Sequence, residues 1–90
     1  MILQPLVENS VKHGLASLIE GGRIAIRIHR GEGKLQFEVA DTGVGVQDKE
    51  KALSAGVGLS NTQLRLRKRY RTSLQLLDNQ PRGLVVRFAI

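Results

Sequence analysis

At 90 residues with 41% apolar side chains, the chain is sized for one small domain with a single core. It has no cysteine, which excludes disulfides and thiolate chemistry, and no apolar run approaches the length of a membrane span. A net charge of +6 favours anionic partners, nucleotides or polyanions, over cations.

Residues 3–19 predict an amphipathic helix. At about 100° per residue, Leu3, Leu6, Val7, Val11, Leu15 and Leu18 share one broad face, with Glu8, Asn9, Lys12 and His13 on the other. Pro5 fits the first turn, Gly14 weakens the middle, and Gly21-Gly22 end the helix. The polar face carries chemistry. An Asn or Glu oxygen suits Mg²⁺, and Lys12 suits phosphate. The competing reading is a solvated face with an i,i+4 Glu8–Lys12 pair.

Residues 23–30 alternate with period two, placing Ile24, Ile26 and Ile28 on one face. Residues 34–40 repeat the alternation through Leu35, Phe37 and Val39. With Gly31-Glu32-Gly33 between them, the two runs predict a hairpin. Asp41 follows directly, opening Asp41-Thr42-Gly43-Val44-Gly45. As an acceptor, Asp41 could discriminate an exocyclic amine such as that of adenine; as Asp before a glycine-containing turn it has an equally good local use.

Residues 47–55 are polar, allow a short helical turn, and read as a flap between two glycine pairs. The second pair opens Gly56-Val57-Gly58-Leu59-Ser60-Asn61, and a helix over residues 59–70 buries Leu59, Thr62, Leu66 and Tyr70. A helix starting at Gly58 offers free N–H groups and partial positive charge to a phosphate. Arg65, Arg67, Lys68, Arg69 and Arg71 cover the rest of its surface, over an arc too wide for a recognition edge. Two strands, residues 73–77 and 84–90, close the chain. The expected fold is α/β: a two-layer sandwich with a mostly antiparallel mixed sheet, covered on one face by helices. Charge is the one argument for nucleic-acid binding. One tyrosine, two phenylalanines and no tryptophan give no stacking platform, so that partner is not expected.

Leu3-Gln4-Pro5-Leu6-Val7-Glu8-Asn9-Ser10-Val11-Lys12-His13-Gly14 resembles the N box of sensor histidine kinases, in particular the LytS-type branch. Residues 41–45 resemble their first glycine box, and residues 56–62, running on to Leu66 and Tyr70, the second. Three boxes in order, over nearly the whole chain, point to the GHKL ATPases, the superfamily of gyrase, the large heat-shock chaperone and the mismatch-repair ATPases. The resemblance implies ATP and Mg²⁺ as cofactors. Asn9 would ligate the Mg²⁺, and Glu8 would position or activate the reacting groups. Lys12 and His13 would face the phosphates. Asp41 would bind the adenine amine, with Gly43 and Gly45 leaving room for the base. Gly56 and Gly58 would hinge a lid, and the N–H groups of Gly58, Leu59, Ser60 and Asn61 would meet the phosphates.

The implied activity is transfer of the γ-phosphoryl group to a histidine on a separate dimerisation domain, with a response regulator further on. The alternative is a module of the same fold that binds nucleotide or docks a regulator without catalysis. Neither His13 nor His29 stands in a phosphoacceptor context. The expectation is therefore a catalytic core from a longer kinase, cytoplasmic and without membrane contact of its own, whether or not the parent is membrane-bound. The chain departs from the family's pattern in three places. Gly83-Leu84 replaces the usual Gly-Thr and removes a hydroxyl from the adenine site. Arg71 stands where a glycine usually follows Tyr70. The lid is short and lacks a separate Phe-containing box.

Overall fold

The computed structural model describes residues 3–15, 21–55 and 58–90. Helix α1 (Leu3–Asn9) continues into a π-helical segment, Ser10–Leu15. Strands β1 (Ile24–Gly31) and β2 (Lys34–Asp41) form the expected hairpin. Then come α2 (Lys49–Ala55), α3 (Gly58–Tyr70), β3 (Gln75–Asp78) and β4 (Leu84–Ala89). The sheet order is β1-β2-β4-β3, and all three pairings are antiparallel. The hairpin closes at Gly31↔Lys34, with Glu32 at φ 54° and Gly33 at φ 75°, the type I′ geometry that matches strand twist.

Register carries the alternation into a core. Val39 pairs with Val86 and Phe37 with Phe88, so these four side chains share one face. The two rings stack with centroids 4.9 Å apart and an interplanar angle of 10°. Leu6 of α1 and Leu59 and Leu66 of α3 close over them, with Leu74, Leu84, Val86 and Phe88 completing the buried set. Each fully buried leucine is worth about 1.5–3 kcal/mol over the exposed state. The opposite face is polar: Arg27, Glu38, Arg87 and Gln75 follow one another across the strands, and Arg27 Nη1 meets Glu38 Oε2 at 3.2 Å. Helices therefore cover one face only, as a two-layer sandwich requires.

Four sequence expectations need correction. The first helix is not one α-helix through residue 15, because the winding widens to π after Asn9. Its C-terminal part beyond residue 15, including Leu18, lies outside the described residues. Val11, assigned to the apolar face, is 50% exposed, while Ser10 is buried. Ser10 follows Leu6 by four residues and so stays on its face, whereas Val11 sits at the edge of that arc. Residues 47–55 contain a true helix, α2: Asp48 Oδ1 accepts the Lys51 N–H at 3.0 Å and caps its start. Tyr70, the last residue of α3, is 43% exposed. On edge strand β1, Ile26 and Ile28 face the core side in register with Val39 and Phe37, yet are half-exposed.

Candidate functional site

Two helix ends meet at one end of the sheet. Leu3, at the start of α1, lines a cleft with Phe37 and Phe88, and the last turns of α3 line the same cleft. Both α1 and the π segment pack on β2, so the helix tracks that strand. From Leu3 to Asn9 it advances about 9 Å at 1.5 Å per residue. From Phe37 to Asp41 the strand advances about 13 Å. Asn9 and the π segment thus approach the Asp41 end of β2. The first turn of α3 lies towards that end too, since its last turns are at the other. Helix α2, which packs on α3, is tied there by Lys49 Nζ, 2.7 Å from Asp78 Oδ1 and 3.3 Å from the Val46 carbonyl.

Asp41 is the most constrained polar group at this end. It follows Phe37 and Val39 on the helix-covered face and is only 2% exposed. Burying a carboxylate there is costly without hydrogen bonds. Its Oδ1 receives two, from the Gly43 N–H at 2.9 Å and the Leu84 N–H at 3.2 Å. The first is the local Asx turn that Asp before glycine forms anyway. The second comes from a strand 43 residues away and is not a turn device. Oδ2 takes neither bond and, among the described residues, is left to accept from a further donor.

The surrounding backbone is held as tightly. Asn79 Nδ2 donates to the Asp41 carbonyl at 2.7 Å, and Arg82 Nε to the Thr42 carbonyl at 3.2 Å. Thr42 exchanges bonds with Arg23: its N–H donates to the Arg23 carbonyl at 3.1 Å, and its Oγ1 accepts the Arg23 N–H at 2.9 Å. Gly83 sits at φ 112°, where a Cβ would collide with the Asp41 carbonyl oxygen and lie 3.0 Å from the Thr42 Cα. Gly45 sits at φ 76°, and a Cβ there would come within 3.2 Å of the Gly83 carbonyl oxygen. Close backbone approach, which only glycine allows, defines both positions.

The other predicted residues divide by position. Glu8 is exposed and accepts from Gln4 Nε2 at 3.2 Å, so the Glu8–Lys12 pair of the competing reading gives way to one within α1. The π winding after Asn9 changes the angular offset that pair needed. Asn9 is half-buried and Lys12 exposed. Gly43 is buried, and Gly58 begins α3. Leu59 is a core side chain, so only its backbone N–H can serve a ligand; Ser60 is half-buried and Asn61 exposed. These four residues hold the helix-start N–H groups that lack intrahelical partners. Gly56 and the His13 side chain lie outside the described residues. Among the described residues no group of three or more His, Cys, Asp or Glu side chains could hold a metal. A divalent ion here would draw on Asn9 and the ligand's own oxygens. Sequence reasoning missed Asn79 and Arg82. Their role depends on the β3–β4 loop folding back on residues 41–42, and the one local signal was Gly83 before the last strand.

One further feature of this end is Ser10. It is 1% exposed, and its Oγ has no hydrogen-bond partner among the described residues.

A buried acceptor on a sheet face, backbone packed too closely for side chains, and a helix N-terminus at the same end make a nucleotide-binding type of site on an α/β sandwich. The chain belongs to the family of histidine kinase-, DNA gyrase B- and HSP90-like ATPases, whose model matches residues 1–90. It is 38% identical over 68 residues, 76% of its length, to the sensor histidine kinase BtsS of Escherichia coli, which agrees with the LytS-type branch. It is 50% identical over 46 residues, 51% of its length, to a sensor-like histidine kinase of Staphylococcus epidermidis. These alignments span 12% and 9% of the two relatives. In fold it matches the histidine kinase domain of the blue-light activated histidine kinase of Erythrobacter litoralis EL346 with a TM-score of 0.81 at 19% identity. That match covers 99% of this chain and 41% of the other.

Proposed function

We propose that this domain binds ATP·Mg²⁺ and presents its γ-phosphoryl group to a histidine on a separate dimerisation domain, from which a response regulator is phosphorylated. The observation that carries the proposal is Asp41. Two backbone N–H groups, one two residues on and one 43 residues on, fix Oδ1, which orients Oδ2 as an acceptor for the adenine amine. Gly43 and Gly45 leave room beside it for the base. Asn9 would hold the Mg²⁺, and Glu8 would position the reacting groups from the exposed side of α1. Lys12 and His13 would face the phosphates, as would the N–H groups of Gly58, Leu59, Ser60 and Asn61. Gly56 and Gly58 would hinge the lid that α2 forms. Bound ATP supplies the phosphoryl group itself. Positioning and charge neutralisation are what remain for the protein, since phosphoryl transfer needs little covalent help.

No described helix is long and apolar enough to cross a membrane, which suits a catalytic domain working in the cytoplasm. The test has two stages. Calorimetric titration with ATP and Mg²⁺ should show saturable binding by the folded chain. Labelled ATP with a dimerisation domain supplied in trans should then yield phosphohistidine. Binding without transfer would favour the alternative, a nucleotide-binding or regulator-docking module of the same fold.

A further inference from the structure

At the end of the sheet opposite Asp41, the same two helices enclose a second feature. Leu3, Phe37, Phe88 and Ile90 give a cleft of about 660 Å³ an apolar floor that includes the stacked phenylalanines. The exposed residues of α3 that line it, Arg65, Lys68, Arg69 and Tyr70, form its rim. All three cations are exposed, and none forms an ion pair among the described residues. Their spacing of i, i+3 and i+4 puts them on one stripe of α3, where like charges repel one another. Position at a helix C-terminus compensates Lys68 and Arg69 in part, but not Arg65, which stands a turn earlier.

We infer that this cleft docks an acidic amphipathic helix from a partner protein. Apolar side chains of that helix enter the phenylalanine floor, and its Glu or Asp side chains, at the matching i, i+3 and i+4 spacing, neutralise the rim. Tyr70 and the arginines are of the types that dominate interface energetics. A fatty acid would bring one carboxylate to three cations. A bilayer surface is flat and would not fill a concave floor. A nucleic-acid backbone would satisfy the rim and leave the floor unfilled. The inference does not depend on the nucleotide site.

Tyr70 is the only tyrosine and the chain has no tryptophan, so tyrosine emission reports this cleft alone. The experiment titrates the 90-residue chain with an aromatic-free helical peptide of about 18 residues. The peptide carries a leucine stripe flanked by glutamates; a twin has lysines in their place. The glutamate peptide should shift Tyr70 emission saturably and the lysine twin should not. Arg65→Glu with Arg69→Glu should weaken the glutamate peptide at least about tenfold and gain the twin. The neutral pair Arg65→Gln and Arg69→Gln should give an intermediate loss with an unchanged circular dichroism spectrum. Equal response to both peptides, or none to either, would overturn the inference. So would a stronger response to oleate, to vesicles with one-quarter phosphatidylglycerol or to a DNA oligomer than to the glutamate peptide. An emission change on concentrating the protein alone, with a dimer in sedimentation, would reassign the cleft to a second copy of the chain.

Discussion

The backbone N–H of Leu84 donates to Oδ1 of Asp41 across 3.2 Å, joining the start of the last strand to the end of the second. A main-chain donor makes this bond, so it does not depend on which side chain stands at position 84. The Leu84 side chain itself turns into the core and is 2% exposed.

Asp41→Asn separates the structural use of the carboxylate from its use towards ligand. An amide Oδ1 still accepts from Gly43 and Leu84, so the urea midpoint should barely move. The other side-chain atom becomes a donor and opposes an adenine amine. ATP affinity should fall by roughly 2 kcal/mol or more, with a smaller loss for a purine nucleotide lacking the amine. Unchanged calorimetric affinity for ATP would remove Asp41 from the base site.

Gly83→Ala should be severely destabilising. The methyl would overlap the Asp41 carbonyl oxygen at a φ that L-residues rarely adopt, and backbone cannot yield as a side-chain tip can. A loss of about 3 kcal/mol or more is expected in urea unfolding, with soluble expression reduced. A near-native midpoint would mean that residues 41–42 can shift away from the β3–β4 loop.

Ser10→Ala should be neutral or stabilising, by up to about 1 kcal/mol. Removing a buried hydroxyl that has no partner among the described residues removes a desolvation cost and loses none of the described bonds. A thermal melt decides. A clear drop in midpoint would show that the hydroxyl has a partner in solution.

Arg71→Gly addresses the end of α3. Arg71 holds φ 54°, the left-handed position that glycine normally fills after a helix, and the Thr72 N–H reaches the Leu66 carbonyl at 3.5 Å. Relief of that strain should outweigh the extra chain entropy of glycine by up to about 1 kcal/mol. Chemical denaturation of the two proteins measures it, and a destabilised variant would mean the arginine side chain contributes more than its backbone costs.

Much of the fold was legible in order. Alternation in residues 24–28 and 35–39 specified the hairpin, because period two has one structural solution when one face must be buried. The helix at Leu59, Thr62 and Leu66 followed from its own spacing. The π winding after Asn9 was not legible: α and π turns differ by one residue in hydrogen-bond reach, and packing on β2 selects between them. Helix α2 was understated because its sequence is polar, and its apolar contacts, Ala52 and Leu53, are few.

For the site, the sequence by itself determined which residue types stand at the chain's critical junctions: Asn9 and Lys12 on one helix, Asp41 with its glycines at a strand end, and Gly58 opening another helix. Local chemistry fixes those, since glycine, Asx turns and helix starts depend on near neighbours. Only the tertiary structure decided that Asp41 is pinned by Leu84, that Asn79 and Arg82 brace the loop beneath it, and that Gly83 has no room for a side chain. Each of those depends on the last hairpin returning beside β2, which sets residues some forty positions apart in hydrogen-bond contact. Periodicity records which face of an element is buried, but not which distant backbone will lie against it.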